Sequence, residues 1–241
     1  MTIVAIIPAR SGSKSVKDKN LLKLGNHTLL EWSVMAAKKS KMIDEVIVST
    51  DSSVYAEIAA SAGASVPFLR PKDLSRDRST DSEFVFHTLS KLREKNYSPE
   101  YFVHLRPTTP LRIPSVIDEA IQTFVGSSFT SLRSAHKMPE SAYKYFEKGV
   151  NNEFVPLKGS EDTENLDSFN NPKQSFPDTY APNGYVDILS VKHIENTKLI
   201  HGNKVYCFET DYTPEVDSTE EFRYIEYLSA ENQIFYNSMW S

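Results

Sequence analysis

Ile3-Val4-Ala5-Ile6-Ile7-Pro8-Ala9-Arg10-Ser11-Gly12-Ser13-Lys14, continuing through Lys17 to Lys19-Asn20-Leu21, sets a basic, glycine-bearing loop directly behind an apolar strand. The run Ile3 to Ile7 is continuous rather than alternating, as expected of a strand buried on both faces, and Pro8 ends it because proline cannot donate to a central ladder. Behind it, Arg10, Lys14, Lys17 and Lys19 face only Asp18. In a chain of formal net charge -5, that local excess of positive charge focuses anions which the molecule as a whole repels. A basic stretch of this kind is also commonly a solvated loop. A Walker loop is absent, and Gly12 stands alone where a dinucleotide fingerprint needs three spaced glycines.

Outward from this stretch the apolar period switches between helix and strand. Leu30, Val34 and Ala37 share a helical face, and Glu45 to Ser49 reads as a buried strand ending in Thr50-Asp51. A helix is expected from about Ser53 to Ala62, stopped by Gly63, then a short strand over Ala64 to Phe68. Thr80-x-x-Glu83 is a capping box opening a helix with Val85, Leu89 and Leu92 inward. Tyr101 to Leu105 is the next strand, and Pro114 suits the first turn of another helix. Strands alternating with helices predict an α/β fold, a mostly parallel sheet with helices on both faces. Ligands of such sheets sit at the C-terminal strand edges, where Arg10, Asp51 and Arg106 fall.

After Arg133 the periodicity is lost. Residues 134–180 are rich in Asn, Pro, Lys and Glu, with brief apolar groups such as Tyr143 to Phe146, and read either as an inserted excursion that packs against another body, a partner subunit being the simplest, or as a mobile surface loop. Strands resume at Asn183 to Leu189 and Lys204 to Phe208, and Ser218-x-x-Glu221 caps a last helix.

The 241 residues suffice for one such domain, and no apolar run approaches the roughly 20 residues that cross a bilayer. Met1-Thr2 leads directly into a strand, so no signal peptide is expected. A single cysteine, Cys207, excludes an intrachain disulfide and points to a reducing cytoplasm. The six histidines form no HxxxH or HExxH pair, and the acidic balance argues against a nucleic-acid partner.

The order I-I-P-A-R-S-G-S-K-x-x-x-x-K-N-L resembles the opening of the CMP-sialic acid synthetases, or N-acylneuraminate cytidylyltransferases. Further blocks follow in that family's order: Ser49-Thr50-Asp51, Arg70-Pro71-x-x-Leu74-x-x-Asp77, Arg106-Pro107-Thr108-Thr109-Pro110-Leu111-Arg112, Pro182-Asn183-Gly184 and Glu215-Val216-Asp217. The resemblance spans nearly the whole chain. It implies a single Rossmann-like domain of the nucleotide-diphospho-sugar transferase type over residues 1–241, which activates a nonulosonic acid with CTP and releases pyrophosphate. It also implies a homodimer, with residues 134–180 as the dimerisation arm.

By the same resemblance, Arg10, Ser13, Lys14 and Lys19 bind the triphosphate with Asn20 beside them, and Arg10, Lys14, Lys19 and Asp217 carry catalysis. Arg70, Ser79 and Asp81 form the cytosine-reading loop, although Arg70 also fits a loop-bracing ion pair and residues 79–83 a helix cap. Mg²⁺ is held in the family by an Asp-x-Asp block, here Glu215-Val216-Asp217. Residues i and i+2 of an extended segment point the same way, so both carboxylates reach one hard cation. Asp217 is the expected ligand and Glu215, longer by a methylene, the second candidate; a helix-capping role for Asp217 is the alternative.

The acceptor side departs most from the family pattern. Arg106 replaces a glutamine, Asp187 stands where an aromatic residue is common, and Lys173 replaces an arginine expected to cross the dimer. Asn183 matches, and Lys144 is the other candidate cross-subunit base. N-acetylneuraminate and relatives such as legionaminic acid are therefore both candidate acceptors. The alternatives are a cytidylyltransferase for the eight-carbon acid Kdo, a sugar 1-phosphate nucleotidyltransferase, and a non-catalytic nucleotide-sugar binding protein.

Overall fold

Strand β1 (Ile3–Pro8) pairs in parallel with β4 (Glu45–Ser49) on one side and β5 (Tyr101–His104) on the other. It is central because its residues serve two cores at once. Ile3, Ala5 and Ile7 pack toward one face of the sheet, Val4 and Ile6 toward the other, and all five are buried. The structure, a computed structural model, describes residues 1–14, 16–157 and 165–231.

The sheet has six strands in the order β10-β6-β9-β5-β1-β4, where β6 is Ser131–Lys137, β9 is Tyr180–Ser190 and β10 is Val205–Glu209. All run one way except β9, which is antiparallel to both β5 and β6. The two short strands β2 (Lys23–Leu24) and β3 (His27–Thr28) pair with each other, as do β7 (Phe146–Lys148) and β8 (Phe154–Pro156).

One face is covered by α1 (Leu29–Lys39), α2 (Ser53–Ser61), α4 (Pro114–Phe124) and α6 (Thr219–Glu231), which supply buried Leu30, Val34, Tyr55, Ile117, Ile121 and Ile225. The other face carries α3 (Asp81–Glu94) and α5 (Val191–Thr197), with Phe84, Val85, Leu89, Leu92 and Ile194 buried against Val4, Ile6 and Phe102. The local rules act as the sequence predicts. Thr80 and Glu83 form the capping box of α3, and Pro114 opens α4. At the end of α2, Gly63 takes a φ of +94°, which stops the helix.

Two local expectations change. Ala64 to Phe68 makes no strand: Ser65 alone bridges Ile47, through Ser65 N to Val46 O and Val48 N to Ser65 O, and Pro67 cannot extend the ladder. The loss of periodicity after Arg133 hides a strand the sequence does not announce: β6 runs from Ser131 to Lys137, because β9 begins at Tyr180 and pairs with it to the end. The chain therefore leaves the sheet after Lys137 and returns to it at Tyr180, within the stretch of about 134–180 read as the excursion. The excursion holds the β7/β8 hairpin and short 3-10 turns around a small cluster of Phe146, Phe154 and Phe169.

No helix among the described residues is long and apolar enough to cross a membrane.

Candidate active site

The segment after β1 is pinned at several points. Asp51, just beyond β4, accepts hydrogen bonds from both the backbone N and the Oγ of Ser11, each 2.8 Å long. Asn20 Nδ2 donates to the Arg10 carbonyl at 3.1 Å, and the Tyr55 hydroxyl donates to Asp18 Oδ1 at 3.2 Å. Burial first, then Asp18, raises the Tyr55 hydroxyl pKa well above its usual value, so it stays a donor. Two left-handed residues, Gly12 (φ +69°) and Asp18 (φ +49°), bend the segment between these anchors.

This loop forms one wall of a cavity of about 420 Å³ at the C-terminal edge of the sheet, lined by Arg10, Ser13, Lys19 and Asn20. The opposite wall brings Arg70, Leu74, Ser79, Thr80, Asp81 and Phe84; Arg106, Pro107 and Thr108 close a third side, and Asp217 stands at its edge. Four cationic side chains thus face two carboxylates around one space, a balance that favours an anionic guest.

Arg70 is 5 % exposed, its guanidinium lies 5.7 Å over the Phe84 ring, and its Nε and one Nη have no hydrogen-bond partner among the described residues. Burial lowers its pKa, with Asp51 opposing and Arg10 adding to the shift. Arg10 donates to Asp77 Oδ1 at 3.0 Å, and Lys14 Nζ lies 2.5 Å from Asp77 Oδ2. These two contacts, Lys14 first, hold the Asp77 carboxyl below the usual carboxylate range.

On the third side, Arg106 donates to Asp187 Oδ2 and to Asp81 Oδ2, both at 2.8 Å. Burial lowers its pKa, but the two carboxylates outweigh it and hold the guanidinium above its ordinary value. Beneath it lies Arg112, wholly buried, which donates to the carbonyls of Arg106, Thr109, Gly184 and Tyr185 and to Ser33 Oγ. Burial brings Arg112 down to about 9, still cationic at neutral pH.

Near the C-terminal end of the described chain, Val216 is buried and donates its N–H to the Thr108 carbonyl at 2.8 Å, which leaves its neighbours on the outward side of an extended segment. Asp217 Oδ1 meets Lys19 Nζ at 2.8 Å, and Glu215 Oε1 accepts from Thr108 Oγ1 at 2.6 Å. Ser218, not Asp217, caps α6, through reciprocal bonds with Glu221. The Asp217 carboxylate is therefore left for the cavity.

Of the residues singled out from sequence, Arg10, Ser13, Lys19, Asn20, Arg70, Ser79, Asp81, Arg106 and Asp217 line this one space, and Lys14 stands beside it on Asp77. Asn183 and Asp187 lie behind it in β9. Asn183 is buried and donates to Thr210 Oγ1 at 2.7 Å; Asp187 is 1 % exposed and opposite His104 and Arg133 in the ladders. Lys144 and Lys173 sit in the excursion, Lys144 ion-paired to Glu140 at 3.2 Å and 5.6 Å over the Phe176 ring. The sequence reading assigned no role to Asp77 and Arg112. Both belong to blocks quoted above, but only the fold reveals what they hold.

Comparison with known proteins agrees with this geometry. The profile of the family described as Cytidylyltransferase matches residues 4–239. An N-acylneuraminate cytidylyltransferase of Escherichia coli is 32% identical over 226 residues, covering 91% of this chain and 50% of that protein. A CMP-N,N'-diacetyllegionaminic acid synthase of Legionella pneumophila is 38% identical over 122 residues, covering 51% of this chain and 53% of that protein. The chain spans about half the length of these curated relatives. A solved CMP:2-keto-3-deoxy-manno-octonic acid synthetase complexed with CTP superposes with a TM-score of 0.71 at 14% identity, covering 96% of this chain and 99% of that one, which is a likeness of fold. A sheet that gathers separate sequence blocks around one cationic cavity, and a family profile that runs almost end to end, lead to the same conclusion: the chain belongs to the cytidylyltransferase family.

Proposed function

We propose that the chain transfers the CMP group of CTP to a nonulosonic acid, N-acylneuraminate or a relative such as legionaminic acid, with release of pyrophosphate. The observation that carries this reading is Arg70, a buried guanidinium on the cavity wall with donors left unpartnered, among further cations on the facing loop. Buried donors are rarely left unmatched, and a nucleotide base with carbonyl acceptors matches them. The names of the curated relatives support the acceptor class.

In this reading Arg10 grips phosphate oxygens through two parallel donors, while Lys14 and Lys19 act as point charges that follow the leaving pyrophosphate. Ser13 and Asn20 complete the triphosphate cradle. Arg70, Ser79 and Asp81 read cytosine, and a base with the wrong donor pattern leaves their polar groups unpaired. Arg106 forms the acceptor side, with Asn183 and Asp187 behind it in β9. Lys144 and Lys173 lie on an arm with exposed Tyr143, Tyr145, Phe154 and Val155, and we assign that arm to a homodimer in which both lysines serve the partner's site. The whole chain 1–241 acts as one domain with this arm inserted, in the cytoplasm that its single cysteine suits.

Members of the family typically use a divalent metal. The donors here fit Mg²⁺: Asp217 offers a carboxylate at the cavity edge, and Glu215 is anchored on Thr108, itself a lining residue. Mg²⁺ is commonly held by one or two carboxylates together with substrate phosphates. Bound there, Mg²⁺ would polarise the phosphate and favour the ionised sugar hydroxyl.

The test is incubation with CTP, Mg²⁺ and one acid at a time, N-acetylneuraminate, legionaminate, pseudaminate or Kdo, with mass-spectrometric detection of the CMP-linked acid. Product with a nine-carbon acid supports the proposal; product with Kdo alone, or none despite CTP binding, overturns it.

A further inference from the structure

Asp187 lies mid-strand in β9, and the register sets it opposite His104 of β5 and Arg133 of β6. At 1 % exposure it is absent from the cavity lining. Its Oδ2 accepts from Arg106 at 2.8 Å and lies 3.8 Å from His104 Nδ1, while its Oδ1 lies 3.5 Å from Arg133 Nε. Arg106 does line the cavity, and its second terminal amino group donates to Asp81 Oδ2 at 2.8 Å. A planar guanidinium held by both amino groups keeps a single orientation. The backbone is fixed as well: Arg112 donates to the Arg106 carbonyl at 2.8 Å. Gly184, at φ +63°, makes the left-handed turn that brings the backbone against the Arg106 stem.

We propose that Asp187 is a positioning residue rather than a substrate contact: through Arg106 it sets the face the cavity offers to the acceptor, and the chain Asp187–Arg106–Asp81 joins that face to the loop opposite. This rests on the reading of the cavity as a site that joins CTP to an acid. A buried carboxylate that acts only through one guanidinium has a specific signature. Once the guanidinium is gone, removing the carboxylate's charge has nothing further to change at the acceptor face, whatever it changes at His104 and Arg133.

The experiment is a double-mutant cycle on Asp187→Asn and Arg106→Gln, measuring the acceptor KM and kcat at saturating CTP with the acid the wild type uses, CTP affinity by calorimetry, and thermal unfolding. Asp187→Asn is expected to raise the acceptor KM about tenfold with kcat within about threefold, a binding rather than a chemical loss. The double variant is expected to match Arg106→Gln within about twofold, the non-additivity of residues that work as a unit. An unchanged acceptor KM in a folded Asp187→Asn protein, or a double variant in which the two losses multiply, overturns the proposal. If Asp187→Asn does not fold, Arg106→Gln against the double variant decides by the same criterion. If the wild type turns over none of the acids, the functional reading fails first, visibly and before any variant is compared, and this inference falls with it.

Discussion

Lys19 Nζ and Asp217 Oδ1 lie 2.8 Å apart although 198 positions separate them in the chain. One follows the first strand and the other precedes the last described helix, so the ion pair closes the cavity from the two ends of the sequence. In the proposed function a triphosphate would take the place of Asp217 at Lys19, and a cation that of Lys19 at Asp217. Asp77 stands in the same relation to Arg10 and Lys14. Arg10, Lys14 and Lys19 are thus each paired with a carboxylate.

Asp217→Asn and Lys19→Ala should each lower kcat by about 100-fold or more, the scale lost when one charge-stabilising group is removed from a transition state. Thermal midpoints should move little, because an exposed ion pair contributes at most about 1 kcal/mol. Pyrophosphate release beside a melting curve separates the two effects.

Arg70→Ala should weaken CTP binding by about 1.5–3 kcal/mol, roughly 10- to 150-fold, the range for hydrogen bonds made by a charged group. Arg70→Lys should not restore it, since an ammonium lacks the planar pair of donors. Calorimetric titration of CTP into each variant measures both.

Arg112→Met should cost about 3–5 kcal/mol of stability, as when one partner of a buried charged network is removed. The carbonyls of Thr109, Gly184 and Tyr185 lose the guanidinium donor at once, and that of Arg106 loses one of its donors. Urea denaturation checks the loss, and a variant within about 1 kcal/mol of wild type would remove Arg112 from its bracing role.

Stability should fall as the pH drops below the ordinary histidine value of 6.5, because burial holds His104, and less strongly His87 and His201, below it in the folded chain. The unfolded chain then binds protons that the folded chain refuses, so unfolding free energy decreases through that window and is fully retained above it. His104→Gln should flatten the slope between pH 7.5 and about 5.5 in a series of denaturation curves.

Much of this architecture is legible in residue order. The doubly buried run at Ile3 to Ile7, the capping boxes at Thr80 and Ser218 and the proline at 114 are local signals, and each has its element. The reversed direction of β9 is not local. Asn183-Gly184-Tyr185-Val186-Asp187-Ile188-Leu189 reads as a buried strand whichever way it runs, and only its partners β5 and β6 fix the direction. For the same reason the resemblance alone places Asp187 at the acceptor, while its countercharge on Arg106 lies 81 positions away and is hidden from the sequence. Arg112 is hidden likewise: a seemingly ordinary arginine in a loop becomes a buried brace once Gly184 and Tyr185 fold over it.

The most direct test of the account is the rate of pyrophosphate release from CTP and Mg²⁺, with an accepted nonulosonic acid, compared between wild type and the variant carrying Lys14→Ala, Lys19→Ala and Asp217→Ala together. The account predicts CTP-dependent release in the wild type and its near-complete loss in the folded triple variant. A triple variant within a few-fold of wild type would contradict the assignment of this cavity as the active site.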